Sequence, residues 1–304
     1  QHADYFNLST YVGSGVDDHN ITGVGFEPEL VFTRQLIGNN YINLKTESSG
    51  YDQQKSGEFG QYGQIYNDSI QALQPDGFQL GTLSELNFSG TDYAYFAFRQ
   101  TDAPIFVTTT SDVSNGDTSS IVALRANDGG DGISLREAIE AANNTHNGTD
   151  IDTILFDIAL SDLNYSAVTN SYTIQLSSVL PWLDDSVIID ATTQAGYDGT
   201  PGISLRGNAI GGPDDYAFGS DTAGMTIRGF AIGGFSGGGF YLEGAGRHII
   251  ESNYIGTDVT GVVANANGIG IYLNSGADGS RIGGSTAGQG NLISGNTSYG
   301  IIIE

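Results

Sequence analysis

The sequence predicts an all-β protein of two domains. Residues 1–101 read as an antiparallel β-sandwich, and residues 102–304 as a parallel β-helix with one short capping α-helix near 134–144. Three observations carry this. Short apolar, β-branched and aromatic runs are separated by turn residues throughout the chain. Glycine shifts in density, with 26 of 45 lying after residue 200. Beyond residue 224 a strand pattern repeats, as Gly239-Phe240-Tyr241-Leu242, Gly270-Ile271-Tyr272-Leu273 and Gly300-Ile301-Ile302-Ile303, spaced 31 and then 30 residues apart.

The first region supplies strands at Tyr5–Leu8, Leu30–Thr33, Gly77–Leu80 and Tyr93–Phe98. Pro75-Asp76-Gly77 is a turn signal, because Pro presets φ and Gly tolerates positive φ. Tyr93–Phe98 is apolar on both faces, which predicts a central or covered strand. Thr101-Asp102-Ala103-Pro104 marks the boundary, and Ile105–Thr110 reads as the next strand. A Gly/Asp loop over 127–132 then leads into a helix. Ser134 stands three residues before Glu137, the spacing of a capping box, and Leu135, Ala138, Ile139 and Ala142 share one face. A helix of about ten residues is marginal alone, so its stripe must cover something. An open β-helix end, with exposed apolar side chains and free strand edges, is such a surface.

From Thr153 the strands are Thr153–Phe156, Tyr172–Leu176, Val187–Asp190 and Gly202–Leu205. Two further echoes accompany the Gly-led repeat. Ile250-Glu251-Ser252-Asn253 resembles Ile293-Ser294-Gly295-Asn296 at an offset of 43, and Ile-Gly recurs at 232, 255 and 282. Taken as two turns, 43 residues give about 21 or 22 per turn, with 257–267 as an inserted loop and Asn253 and Asn296 stacking as amides. The chain stops in mid-pattern at Ile301-Ile302-Ile303-Glu304, which predicts either a longer solenoid or a covering subunit.

The segment Gly132-Ile133-Ser134-Leu135-Arg136-Glu137-Ala138-Ile139-Glu140-Ala141-Ala142-Asn143 resembles the CSLREA motif near the start of β-helical regions in secreted and surface proteins of bacteria and archaea. Here Ile133-Ser134 replaces Cys-Ser. Downstream, Asp152–Phe156, Ile188–Tyr197, Asn253–Asp258 and Ile282–Asn291 are similar too. The resemblance covers about 105–304 and implies a right-handed parallel β-helix in an exported, adhesin-like protein, with no defined catalytic residues. Tyr11–Gly15, Gly25–Val31 and Asp76–Gly81 resemble a β-sandwich module of phage tail and surface proteins, implying attachment or assembly.

Composition narrows the function. Ten Lys plus Arg against 35 Asp plus Glu give a net charge of −25, which argues against nucleic-acid and anionic-membrane partners. No apolar run is long enough to span a bilayer. There is no Cys, so disulfides and thiolate sites are excluded. The acidity suits either a salty or calcium-containing exterior or a plainly solvated surface. Gln1 in place of Met fits a mature end after removal of a signal peptide, as does a trimmed chain. The expected location is extracellular, at a cell surface.

Candidate sites are few. Eight Asn-x-Ser/Thr sequons, at Asn7, Asn20, Asn67, Asn87, Asn143, Asn147, Asn164 and Asn296, are candidate glycosylation acceptors. Asp128 and Asp131 offer hard oxygen ligands on a Gly-rich loop, the chemistry calcium prefers, against the alternative of a plain acidic turn; no cofactor is required. Arg247-His248 is the only suggestive lyase-type pair, and Asp184-Asp185 and Asp214-Asp215 are paired carboxylates with no basic neighbour. The leading expectation is a non-catalytic structural or adhesive protein that self-associates into a surface layer or filament. The alternatives are a glycan-binding module using Tyr241 and Tyr272, or a polysaccharide-cleaving enzyme.

Overall fold

A computed structural model describes residues 6–25, 28, 30–37, 42–46, 55–59, 65–67, 70–74, 76–98, 103–145, 147, 151–212, 215–244 and 246–304. Strand dominates and helix is scarce, so the protein is all-β. The chain divides into two compact units, Gln1–Thr101 and Asp102–Glu304.

Unit 1 contains two antiparallel sheets. In the larger, Asp92–Phe98 lies between Phe6–Val12 and Leu30–Gln35, as its apolar run predicts. Its two faces differ, however: Tyr93, Tyr95 and Ala97 are buried, while Phe96 and Phe98 are exposed. The smaller sheet pairs His19–Thr22 with Gly77–Leu80, and Gly77–Leu80 with Ile70–Gln74 across the predicted turn; Pro75 of that turn lies outside the described residues. Both sheets feed one core, in which Tyr11 stacks on Tyr93 at 5.0 Å and Phe78 meets Tyr95 edge-on at 5.2 Å.

Unit 2 contains three sheets. Sheet I is Ile105–Val107, Asp152–Phe156, Val187–Asp190, Thr226–Arg228, Ile249–Glu251 and Arg281–Ile282, all parallel. Sheet II begins with the antiparallel pair Tyr165–Ser166 and Ser171–Gln175. It continues in parallel through Ile203–Arg206, Phe230–Gly233, Tyr254–Ile255 and Leu292–Ile293. Sheet III is Tyr216–Ser220, Gly238–Leu242, Ile269–Leu273 and Tyr299–Ile303, again parallel. From Val187 onward the chain visits sheets I, II and III in strict order, four rounds in all, each strand beside its predecessor.

Register explains why these residues recur. Ile105, Ile154, Ile189, Ile227, Ile250 and Ile282 form one column in sheet I. Ile174, Leu205, Ile232, Ile255 and Ile293 form another in sheet II. In sheet III the column is Phe218, Phe240, Ile271 and Ile301. β-Branched side chains suit such columns because their stiff χ1 packs well on a pleated surface. The Gly-led repeat is therefore real, with Tyr241 beside Tyr272 at 31 residues. The 43-residue echo is not: Ile250 pairs with Ile282, and Ile293 with Ile255. Round lengths vary because loops such as 257–267 intervene, and that loop closes through a Thr257–Ala264 bridge. The predicted Asn253–Asn296 stack gives way to two separate amide contacts. Asn291 accepts from the Asn253 backbone N–H at 3.0 Å, and Asn296 from that of Asn267 at 3.3 Å.

Three α-helices occur among the described residues: α1 (Ser84–Asn87), α2 (Ile121–Ala126) and α3 (Leu135–Asn143). The predicted capping box is present in α3. The Ser134 hydroxyl accepts from the Glu137 N–H, and a Glu137 oxygen accepts from the Ser134 N–H at 2.9 Å. Its apolar stripe joins the core against Ile105–Val107 and Asp152–Phe156, the first two strands of sheet I. The expectation of a single helix needs correcting, since α2, capped by Ser120, buries Ile121 and Leu124 in the same cluster. Arg136 extends the cap: its guanidinium grips Asp112 through two bonds of 3.0 Å and donates to the carbonyls of Ser178 and Val179.

Candidate functional site

Strand alternation directs every second residue of sheet III outward. The inward column Ser220, Leu242, Leu273 and Ile303 is extended by Leu183, which bridges to Ser220. The residues just before these form an outer stripe: Trp182, Gly219, Tyr241, Tyr272 and Ile302. The residues just after them form a second stripe: Asp184, Asp221, Glu243, Asn274 and Glu304.

Gly219 is the key to the first stripe. A Cβ there would lie 3.0 Å from the indole of Trp182, so a larger residue would push that ring off the strand. With no side chain at 219, Trp182 reaches Tyr241 at 5.8 Å while remaining 43% exposed. Tyr241 in turn meets Tyr216 and Tyr272, each at 5.2 Å, giving a row of tilted rings. The second stripe holds the phenols in place. Tyr241 donates to Glu243 at 3.2 Å and accepts from the Asn274 amide at 2.7 Å; Tyr272 donates to Glu304 at 2.7 Å. The bond to Glu304 pushes the Tyr272 hydroxyl up to about 12, and burial raises that of Tyr241. Both remain protonated donors at neutral pH. The four strands of sheet III carry no Lys, Arg or His.

Sheet I carries a different array. Asp190, Arg228 and Glu251 are neighbours in register, and Arg281 follows on the next strand. Arg228 contacts Asp190 at 2.6 Å and Glu251 at 3.3 Å, and Arg281 contacts Glu251 at 2.9 Å. Both acids are buried. The hydrogen bond it donates to Asp190 is the main reason the Arg228 guanidinium is more basic than usual. Each buried carboxylate is matched by a cation, so this ladder ties successive rounds together.

The other predicted sites fare differently. Arg247 has φ of 62°, and His248 is fully buried. The His248 ring is sealed from solvent and so is not placed to meet a substrate, whereas Arg247 is exposed. Asp185 accepts from the Asn147 and Ser186 N–H groups and shapes a turn, while Asp184 belongs to the acidic stripe. Asp215 accepts from the Gly212 N–H, and Asp214 lies outside the described residues. Asp128 accepts from the Gly130 N–H within its own turn. No third acidic or histidine ligand joins Asp128 and Asp131 in a metal-holding group among the described residues.

The sequons divide by what their amide nitrogens do. Asn87 is a correction: it is buried, and its nitrogen donates to the carbonyls of Val16 (2.7 Å) and Gly81 (2.8 Å), so the folded chain offers no acceptor there. Asn7, Asn143, Asn147 and Asn296 likewise donate to backbone carbonyls. Asn164 is exposed and donates to the Thr110 hydroxyl. Asn20 is exposed and bonded through its oxygen, which accepts from Gln74 and Gln79. The side chain of Asn67 lies outside the described residues.

The chain is thus an all-β protein of two units whose second unit displays an aromatic and acidic face. It belongs to the family described as a domain of unknown function, DUF7483, whose model matches residues 1–195. That match runs through unit 1 and into unit 2 as far as the Asp190 turn, including both helices of the cap. No curated protein and no solved structure matches the chain.

Proposed function

We propose that this protein is a non-catalytic, extracellular adhesive module that holds glycans on the outer face of sheet III. The observation that carries the reading is the Trp182–Tyr241–Tyr272 stripe. An indole braced on one side by glycine backbone and open on the other offers a flat apolar surface beside fixed phenol and carboxylate oxygens that can accept from sugar hydroxyls, the mix that sugar rings require. In the same reading unit 2 is a right-handed parallel β-helix, each round of sheets I, II and III being one coil, and unit 1 is a β-sandwich. The strict order of strands supports the coil, and the general handedness of parallel crossovers supports the hand. The likeness of the Ser134 helix to the CSLREA motif agrees with it. His248 is enclosed and the ladder acids are neutralised by arginines, which favours binding over chemistry.

A glycan array probed with the full chain and with Trp182→Ala tests this. Binding of a defined sugar class that falls at least about tenfold in the variant is expected. Silence of the unmodified chain across neutral, acidic and amino sugars would sink the proposal.

A further inference from the structure

Resting on the glycan-binding reading, we propose that the sheet III face selects a cationic glycan, a linear polymer of deacetylated amino sugar, over neutral or uronic-acid polymers. The two stripes run side by side across successive rounds. They stand two residues apart along each strand, about 7 Å, and step about 4.8 Å from strand to strand. The aromatic stripe supplies Trp182, Tyr241 and Tyr272. The acidic stripe supplies Asp184, Asp221, Glu243 and Glu304, interrupted once by Asn274.

Charge decides among sugars that would stack equally well. The four strands contain no cation. In sheet I, Arg228 and Arg281 are committed to Asp190 and Glu251. A uronate polymer laid on Trp182 would set its carboxylates against the acidic stripe, with no guanidinium to receive them. An ammonium group beside the same rings gains from both components: the ring faces attract a cation, and the flanking carboxylates pair with it. Because the stripes cross several rounds, an extended polymer with one ammonium per residue meets more than one carboxylate, and its affinity grows with length.

The test is calorimetric titration of the full chain with three probes: a glucosamine hexamer, its fully N-acetylated counterpart and a galacturonate hexamer, each at low and high salt. The glucosamine hexamer is expected to bind at least about tenfold more tightly than the acetylated one, with the preference collapsing as salt screens the charges. Asp184→Asn with Asp221→Asn keeps shape and hydrogen-bond acceptors and spares the carboxylates that hold the phenols, and should remove most of that preference while the acetylated hexamer still binds. Trp182→Ala should weaken both. Equal or tighter binding of the acetylated hexamer, or no effect of the double variant, overturns the charge inference and leaves the glycan reading standing. Loss of binding to the same extent from neutralising Asp128 and Asp131, which belong to neither stripe, would assign the preference to bulk acidity and overturn it as well. If none of the three probes binds, the glycan reading itself fails.

Discussion

The two units are both made of strands, yet they solve the same problem differently. In unit 1 the strands are antiparallel, and one residue serves many loops. Asn87 accepts from the Ser14 and Gly15 N–H groups and donates to the carbonyls of Val16 and Gly81, joining segments that sequence keeps about seventy residues apart. In unit 2 each contact is made once per round, so the same residue type recurs: an isoleucine column inside sheet I, and amides such as Asn253, Asn267, Asn291 and Asn296 at the turns. A hub concentrates the consequence of a mutation, whereas a ladder distributes it. The start of unit 2 is the exception, because a first round has no predecessor and its cap depends on a single buried carboxylate, Glu137.

The largest effect therefore belongs to that cap. Glu137 is fully buried and accepts from the Asn115, Gly116 and Ser134 N–H groups at 2.8, 2.8 and 2.9 Å. Glu137→Ala removes the acceptor of three N–H groups, that of buried Ser134 and those of the more accessible Asn115 and Gly116, and should cost about 4 kcal/mol in urea unfolding, with Glu137→Gln recovering part of it. A loss below about 1 kcal/mol would mean that water or a neighbour replaces the carboxylate readily. Next comes the hub. Asn87→Ala should cost about 3 kcal/mol, and in hydrogen exchange the Ser14 and Gly15 amides should lose protection while the sheet I strands keep theirs. The ladder amide Asn253, bonded to the Phe230 N–H and the Ile227 carbonyl, is the comparison: Asn253→Ala should cost about 2 kcal/mol. If the ladder amide proved costlier than the hub, the contrast between the units would be mistaken.

Some of this architecture is legible in the residues and some is not. The capping box is local chemistry, written in Ser134 and Glu137, and it forms as read. Gly239–Leu242 and Gly270–Leu273 stack because a strand repeat with constant loops preserves its register. Loops of unequal length defeat any single period, and so the echo between Ile250 and Ile293 misled. α2 escaped notice because Ile121-Val122 opens it with two β-branched residues, which argue for strand. The charge ladder did leave a signal: Ile189-Asp190, Ile227-Arg228 and Ile250-Glu251 are three isoleucines, each followed by a charge of alternating sign. Tyr241 and Tyr272 were readable as a pair from the repeat. Trp182 was not, since it joins their stripe through one isolated bridge at Leu183. Asn87 shows the limit most clearly, because Asn-Phe-Ser reads as a glycan acceptor and only burial makes it a hub.

The ladder in sheet I gives a smaller prediction. Arg228→Met leaves the buried Asp190 without its cation and Glu251 with Arg281 alone. The guanidinium is itself partly exposed, so solvent screening reduces the penalty to about 2 kcal/mol, with further dependence on salt. A neutralised neighbour sharpens the test, since Glu251→Gln in the same chain removes the second carboxylate that Arg228 served and should recover some of the loss. An additive double variant would show that the column packs well without pairing.

The smallest effect is read in pH and concerns His248, a histidine sealed into unit 2. Burial lowers the basicity of His248 below that of a free imidazole, and the Glu243 backbone offsets only part of that effect. The unfolded chain therefore binds a proton at His248 at a pH where the folded chain does not. By linkage, stability attributable to this residue is fully present above about pH 6.5, the ordinary imidazole value, and declines as pH falls from there toward the lower folded value. The slope contributed by one such group is at most about 1.4 kcal/mol per pH unit. His248→Gln keeps a polar side chain of similar reach and removes the titration, so urea unfolding from pH 7.5 to 5 should be flatter in the variant than in the parent. The remaining acid sensitivity then belongs to the carboxylates. If parent and variant fall in parallel over that range, His248 has a partner or a water that accepts its proton load, and burial alone does not govern its chemistry.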